Sequence, residues 1–151
     1  MSMFGGLEVS ASGLTAERLR MDVAAENLAN AQTTRGENGG PYRRKSVVLQ
    51  EAGGTVGFGA QLRTAMGTPV GGGSTPGGVE VAGIAEDPAA PRQLYDPGHP
   101  DADAQGYVSM PNVDTVAEMV DLITASRGYE ANVTAMQASK QMFTKTLELL
   151  R

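Results

Sequence analysis

Residues 112–151, NVDTVAEMVDLITASRGYEANVTAMQASKQMFTKTLELLR, carry the pattern that decides the fold. Met119, Leu122, Ser126, Tyr129, Val133, Met136, Lys140, Phe143, Leu147 and Leu150 follow one another in alternating steps of three and four. That is the seven-residue period of a coiled-coil seam, broken only by Ser126 and Lys140. A helix over Val113 to Leu150 is about 57 Å long at the usual rise, more than a chain of this size needs to cover its own core. Its apolar stripe therefore predicts a partner.

The helix start is marked locally. Pro111 favours an extended approach, Asn112 or Asp114 can cap the first free N–H groups, and Thr115 with Glu118 has the spacing of a capping box. Asp114, Glu118 and Asp121 near the start, and Lys140, Lys145 and Arg151 near the end, follow the helix dipole.

A second seam lies at the other end of the chain. Phe4, Leu7, Ala11, Leu14, Arg18, Met21, Ala25 and Leu28 repeat the same alternation, predicting a helix from about Phe4 to Ala31. Alanine at two seam positions permits close approach but buries little area, and Gly13 costs about 1 kcal/mol relative to alanine in a helix interior. This helix is expected to be marginal alone.

Between the helices the composition changes. All 8 prolines lie between Pro41 and Pro111, and 16 of the 20 glycines between Gly36 and Gly106, which separates two glycine-poor helices from a middle rich in turns. The expected class is α+β: a coiled-coil helix over residues 1–31, a β-rich middle over 32–111, and a coiled-coil helix over 112–151. Within the middle, Tyr42 to Glu51, Val56 to Met66, Val79 to Ala85, Arg92 to Tyr95 and Gly106 to Met110 are the strand candidates, predicting one small sheet of four or five strands. Gly53-Gly54 suggests a hairpin between the first two, and the shift of pattern at Gly83 suggests a bulge. Residues 67–78 hold six glycines, no charge and the single apolar side chain Val70, the composition of a flexible linker.

Composition narrows the function classes. Net charge is −5 and the longest basic run is Arg43-Arg44-Lys45, which gives no nucleic-acid footprint. No apolar run approaches the length of a membrane span, and the first residues lack the basic and apolar regions of a cleaved secretory signal. Cysteine is absent, so no disulfide or thiolate metal site can form. His99, the one histidine, stands in Tyr95-Asp-Pro-Gly-His-Pro-Asp-Ala-Asp103. Asp96, Asp101 and Asp103 could join it around a cation, but a proline-rich turn in which Asp carboxylates accept from nearby N–H groups is the better reading. No nucleophile–base pair is in evidence, and no cofactor, metal or catalytic residue is predicted. The 71–78 stretch lacks the Gly-Lys-Ser ending of a phosphate loop.

Three stretches also carry a resemblance. Glu26-Asn-Leu-Ala-Asn-Ala-Gln-Thr-Thr34 resembles the asparagine-rich signature that ends the first helix of the bacterial flagellar rod and hook proteins. Gly39-Gly-Pro-Tyr-Arg-Arg-Lys45, the Tyr95–Asp103 stretch with Gly106-Tyr-Val-Ser-Met-Pro-Asn-Val113, and Glu118 to Asn132 narrow the likeness to a rod subunit. The motif positions are Asn27, Leu28, Ala29, Asn30, Pro41, Tyr42, Pro111, Asn112 and Tyr129. Glu26 and Gln32 depart from the usual small polar residues, and 67–78 looks like an insertion. The resemblance implies a structural subunit of the proximal rod of the basal body. It further implies export without signal cleavage through the flagellar export apparatus, assembly in the periplasm, and no catalysis.

The residues fit such a role on their own. Helices too long for their own core pair with each other and with other subunits, and open heterologous contacts of that kind build tubes. Leu7, Ala11, Leu14, Met21, Ala25 and Leu28 in the first helix are the expected interface positions. Their counterparts in the second are Met119, Leu122, Tyr129, Val133, Met136, Phe143, Leu147 and Leu150. In a free chain such helices should be partly disordered. The reading of a different class is a soluble coiled-coil adaptor or scaffold, which forms a discrete oligomer when pure. Membrane-surface binding is disfavoured by the acidic helices.

Overall fold

The computed structural model describes residues 3–36, 39–52 and 77–149, with the side chains of Met3 and Phe4 excepted. Helix α1 spans Met3–Ala29 and helix α2 spans Thr115–Leu149, 27 and 35 residues. Between them lie β1 (Lys45–Glu51), β2 (Val79–Glu86), β3 (Arg92–Tyr95) and β4 (Tyr107–Met110). The strand expected over Val56 to Met66, the Gly53-Gly54 turn, the glycine tract as far as residue 76, and Leu150 lie outside the described residues.

The α+β class stands. Among the described residues the strands form two two-stranded sheets rather than one, β1 with β2 and β3 with β4. In the second, antiparallel register pairs Arg92 with Met110 and Tyr95 with Tyr107. In the first, the Ala52 N–H donates to the Gly78 carbonyl and the Asp87 N–H to the Arg44 carbonyl. Arg44 to Ala52 is eight steps and Gly78 to Asp87 is nine, so the β2 side takes one extra residue, as a bulge requires.

Residues cluster into two compact units. One draws on Met1–Ala16, Leu49–Val81 and Gly128–Arg151, the other is Glu17–Val48 with Ala82–Arg127, and both helices contribute to each. In the first unit Ala16 is buried, and a Cβ on Gly13 would lie 2.9 Å from the Asn132 side-chain nitrogen. Gly13 thus gives the two helices room to approach. Ser12 Oγ accepts from the Val79 N–H, and a Cβ on Gly78 would lie 2.0 Å from the same oxygen. Gly78, the last residue of the supposed linker, is therefore packed on α1, because only a glycine fits over Ser12. In the second unit the buried helix positions are Val23, Ala24 and Asn27 on α1 and Glu118 and Ala125 on α2, with Val108 of β4 completing the core.

The buried stripes are not the predicted seams. On α1, Ala11, Arg18 and Ala25 are exposed while Leu7, Leu14, Met21 and Leu28 are half-buried. On α2, Leu122, Val133 and Met136 are half-buried, whereas Met119, Tyr129, Lys140, Phe143 and Leu147 are exposed. Within each unit the inward face carries the smallest or most polar residues available: Gly13, Ala16 and Asn132 in one, Ala24, Asn27, Glu118 and Ala125 in the other. Close approach favours small side chains, so the wider apolar residues are left on neighbouring faces. Reading the heptads by apolar size picked those wider residues.

Candidate functional site

Asn27 ends the last full turn of α1 and is only 1% exposed. Its amide uses its whole hydrogen-bonding capacity within the second unit. Nδ2 donates to the Lys45 carbonyl at 2.8 Å and to Glu118 Oε2 at 3.0 Å. Oδ1 accepts from the Tyr42 hydroxyl and from the Lys45 N–H, both at 2.9 Å. Asn27 therefore treats Lys45 as a strand neighbour would, pairing with both its N–H and its C=O. That fixes where β1 begins: the sequence expectation of a strand from Tyr42 gives way to a start at Lys45, because Tyr42 and Arg44 are turned onto the helices.

Glu118 is the other half of the hub, 2% exposed on the first turn of α2. Its Oε1 accepts from Arg44 Nε at 2.6 Å, and Arg44 Nη2 reaches Asp121 at 3.4 Å. The hydrogen bond to Glu118 holds the Arg44 guanidinium above its ordinary pKa, with burial acting in the opposite direction. Glu118 was expected to close a capping box with Thr115. Asp114, one of the two expected caps, caps α2, its Oδ1 accepting from the Val116 N–H at 2.9 Å and the Ala117 N–H at 3.4 Å, while Glu118 faces Asn27. Lys45 Nζ pairs with Glu26 at 2.6 Å and lies 5.7 Å from the centroid of the Tyr42 ring. Burial, and then the Glu26 charge, raise the Tyr42 pKa.

The remaining motif residues brace the same region. Asn30 Nδ2 donates back to the Glu26 carbonyl, and its Oδ1 accepts from Thr33, closing α1. Thr34 and Arg35 then bind Asp101 in the loop between β3 and β4. In that loop Asp96 Oδ1 accepts from the Gly98 N–H, and Asp103 Oδ1 from the Gln105 and Tyr107 N–H groups. The Asp101 N–H donates to His99 Nδ1. These carboxylates have separate local partners, as a braced turn demands. Pro111 is buried, Pro41, Tyr42 and Leu28 are half-buried, and Ala29, Asn112 and Tyr129 are exposed.

Beside the hub lie a cleft of about 160 Å³ reaching Arg20, Val23 and Asp121, and one of about 640 Å³ walled by Glu26, Tyr42, Arg43, Lys45 and Glu86. Among the described residues no three His, Cys, Asp or Glu side chains stand together as metal ligands would. No described helix is long and apolar enough to cross a membrane.

Among its exposed residues α2 carries several large apolar side chains. In the second unit Val116, Met119, Val120 and Ile123 are exposed, and in the first unit Met142, Phe143, Leu147 and Leu149. Met119, Phe143 and Leu147 are among the interface positions expected from the sequence; Val116, Val120 and Ile123 are not. Sequence reasoning also misses the hub: Asn27 stands out as a motif position and Glu118 for its capping-box spacing, but nothing in the sequence pairs them.

Helices at both ends with a small β insert between them define an α+β chain with no catalytic constellation on display among the described residues, and its family is given by comparison with known proteins. Residues 7–35 match the family described as flagella basal body rod protein, and residues 104–149 the flagellar basal body rod FlgEFG protein C-terminal family. The flagellar basal-body rod protein FlgC of Bacillus subtilis (strain 168) is 51% identical across 99% of both chains. That of Yersinia enterocolitica is 44% identical over 99% of this chain and 98% of the relative, and that of Borreliella burgdorferi 41% over 100% and 99%. The chain belongs to the FlgC family of flagellar basal-body rod proteins, whose members are structural.

Proposed function

We propose that this chain is a non-catalytic subunit of the proximal rod, joined to other copies of itself and to other rod proteins through the outward faces of its terminal helices. It passes the flagellar export apparatus without signal cleavage, takes its place in the periplasmic part of the basal body, and transmits torque there. The supporting observation is the apolar set on α2 that the chain's own packing leaves uncovered: Val116, Met119, Val120 and Ile123 in one unit, Met142 and Leu147 in the other. Side chains of this size gain about 1.5–3 kcal/mol each on full burial, so several together supply an interface. Pairing of α1 with α2 is part of the same reading, supported within one unit by Gly13 against Asn132 and within the other by Asn27 against Glu118.

The test replaces Met119 and Ile123 together by Asp in the source bacterium. Both side chains are about half exposed, 48% and 52%. The monomer's melting curve should therefore shift by no more than about 0.5 kcal/mol per site, whereas a charge buried in an interface costs several. The expected outcome is a protein exported normally, no rods and no motility. Normal swimming would mean that this face meets nothing.

A further inference from the structure

In the second unit, the fully buried residues that α1 and α2 set between them are mostly small or polar. Their buried apolar residues are Val23, Ala24 and Ala125, small and alike, while the largest fully buried side chains on the two helices are Glu118 and Asn27. Small faces pack nearly as well one heptad out of register as in it. The polar pair does not: a slip would leave the Glu118 carboxylate buried without Asn27 and turn it away from Arg44. A buried ion pair adds little net stability over an apolar replacement, and its best-attested use is to select one arrangement. Asn27 is anchored independently, through Lys45 and Tyr42, so it is a fixed reference point.

We propose that Asn27, Glu118 and Arg44 form a register lock, which sets the stagger of the two terminal helices and ties it to the start of β1. The lock acts within one chain and does not depend on the rod reading. Glu118 and Asn27 are positioning residues, and Leu122, half-buried on the same helix, is a packing residue.

The experiment uses the full chain, which contains no cysteine. Arg18→Cys and Arg127→Cys place spin labels at two exposed positions of this unit, one on each helix. Pulsed electron–electron resonance then reads their separation. The starting protein should give one narrow distance. Glu118→Leu should keep its helix signal yet show at least a second population, displaced by roughly 10 Å for a slip of seven residues at 1.5 Å each. Leu122→Ala should lower the melting temperature and leave the distance single. Should Glu118→Leu lose its helix, the milder Asn27→Ser decides, with a broadened distribution expected. A single unshifted distance in a folded Glu118→Leu or Asn27→Ser chain, or a broadened one in Leu122→Ala alone, overturns the proposal.

Discussion

Asn27→Asp exchanges one amide nitrogen for oxygen at a position with no spare room, and its cost can be bounded. The Lys45 carbonyl and Glu118 Oε2 both lose their donor, at about 1–3 kcal/mol for a buried group left unpaired. The new carboxylate also faces Glu118. The introduced group escapes that repulsion by taking up a proton, so the repulsion costs no more than the work of protonating a carboxyl of unfolded pKa about 3.9 at pH 7, roughly 4 kcal/mol, and the one O–H gained serves only one of the two stranded acceptors. A loss of about 3–4 kcal/mol lowers the melting temperature by roughly 10 °C in a chain of this length. The sign with pH follows. The folded pKa of the introduced carboxyl is raised, so the variant is closest to the parent below pH 4 and loses stability as pH rises toward that folded value. Thermal melts of parent, Asn27→Asp and Asn27→Ala at pH 5 and pH 7 make the comparison. The Asp deficit should shrink by up to about 2.7 kcal/mol at pH 5, while the Ala deficit stays put. An Asp variant within 2 °C of the parent at pH 7, on the order of 0.5 kcal/mol, would refute the hub as described.

Tyr42 has a raised pKa and donates its hydroxyl proton to Asn27, so the stability it contributes is complete below pH 10 and lost as pH climbs through the folded value. Urea titrations between pH 9 and pH 11 should show this loss, and Tyr42→Phe should remove it while costing about 1 kcal/mol at neutral pH. Gly106 has φ +84°, and a Cβ there would meet the Tyr95 ring at 3.0 Å. Gly106→Ala should accordingly cost about 1–2 kcal/mol in thermal melts. From Lys140 to Leu149 every residue of α2 is exposed, so amide exchange in the isolated chain should be fast there and slow from Glu118 to Ala125. If the linker composition of residues 67–78 decides, deleting 70–76 and keeping Gly77 and Gly78 should preserve motility, because the closure cost of a connection changes by only about 1 kcal/mol on such shortening, whereas deletion of Gly78, which packs on Ser12, should not.

Much of this architecture was legible because it rests on period and punctuation. The alternation over Met119 to Leu150 gave α2, the proline and glycine distribution gave the insert, and Arg92–Tyr95 with Gly106–Met110 gave β3 and β4. Helix faces were harder to assign. An apolar period identifies which residues want burial, but not whether the chain's own helix or another surface covers them. Here Gly13, Ala24 and Ala125 took the inner face because they are small. The hub was illegible for a related reason. A Glu three residues after Thr115 has capping-box spacing, and only the fold brings Asn27, 91 residues away, to compete for it.

The central claim is that α2 carries two faces with different duties, a small polar one turned inward and an apolar one turned toward other subunits. A photo-reactive amino acid placed at Ile123, or separately at Ala125, in cells that assemble flagella distinguishes the two. Ile123 is 52% exposed and Ala125 is 0% exposed. After illumination, purified basal bodies should contain intersubunit adducts from position 123 and none from position 125. Adducts from 125 but not from 123 would contradict the account.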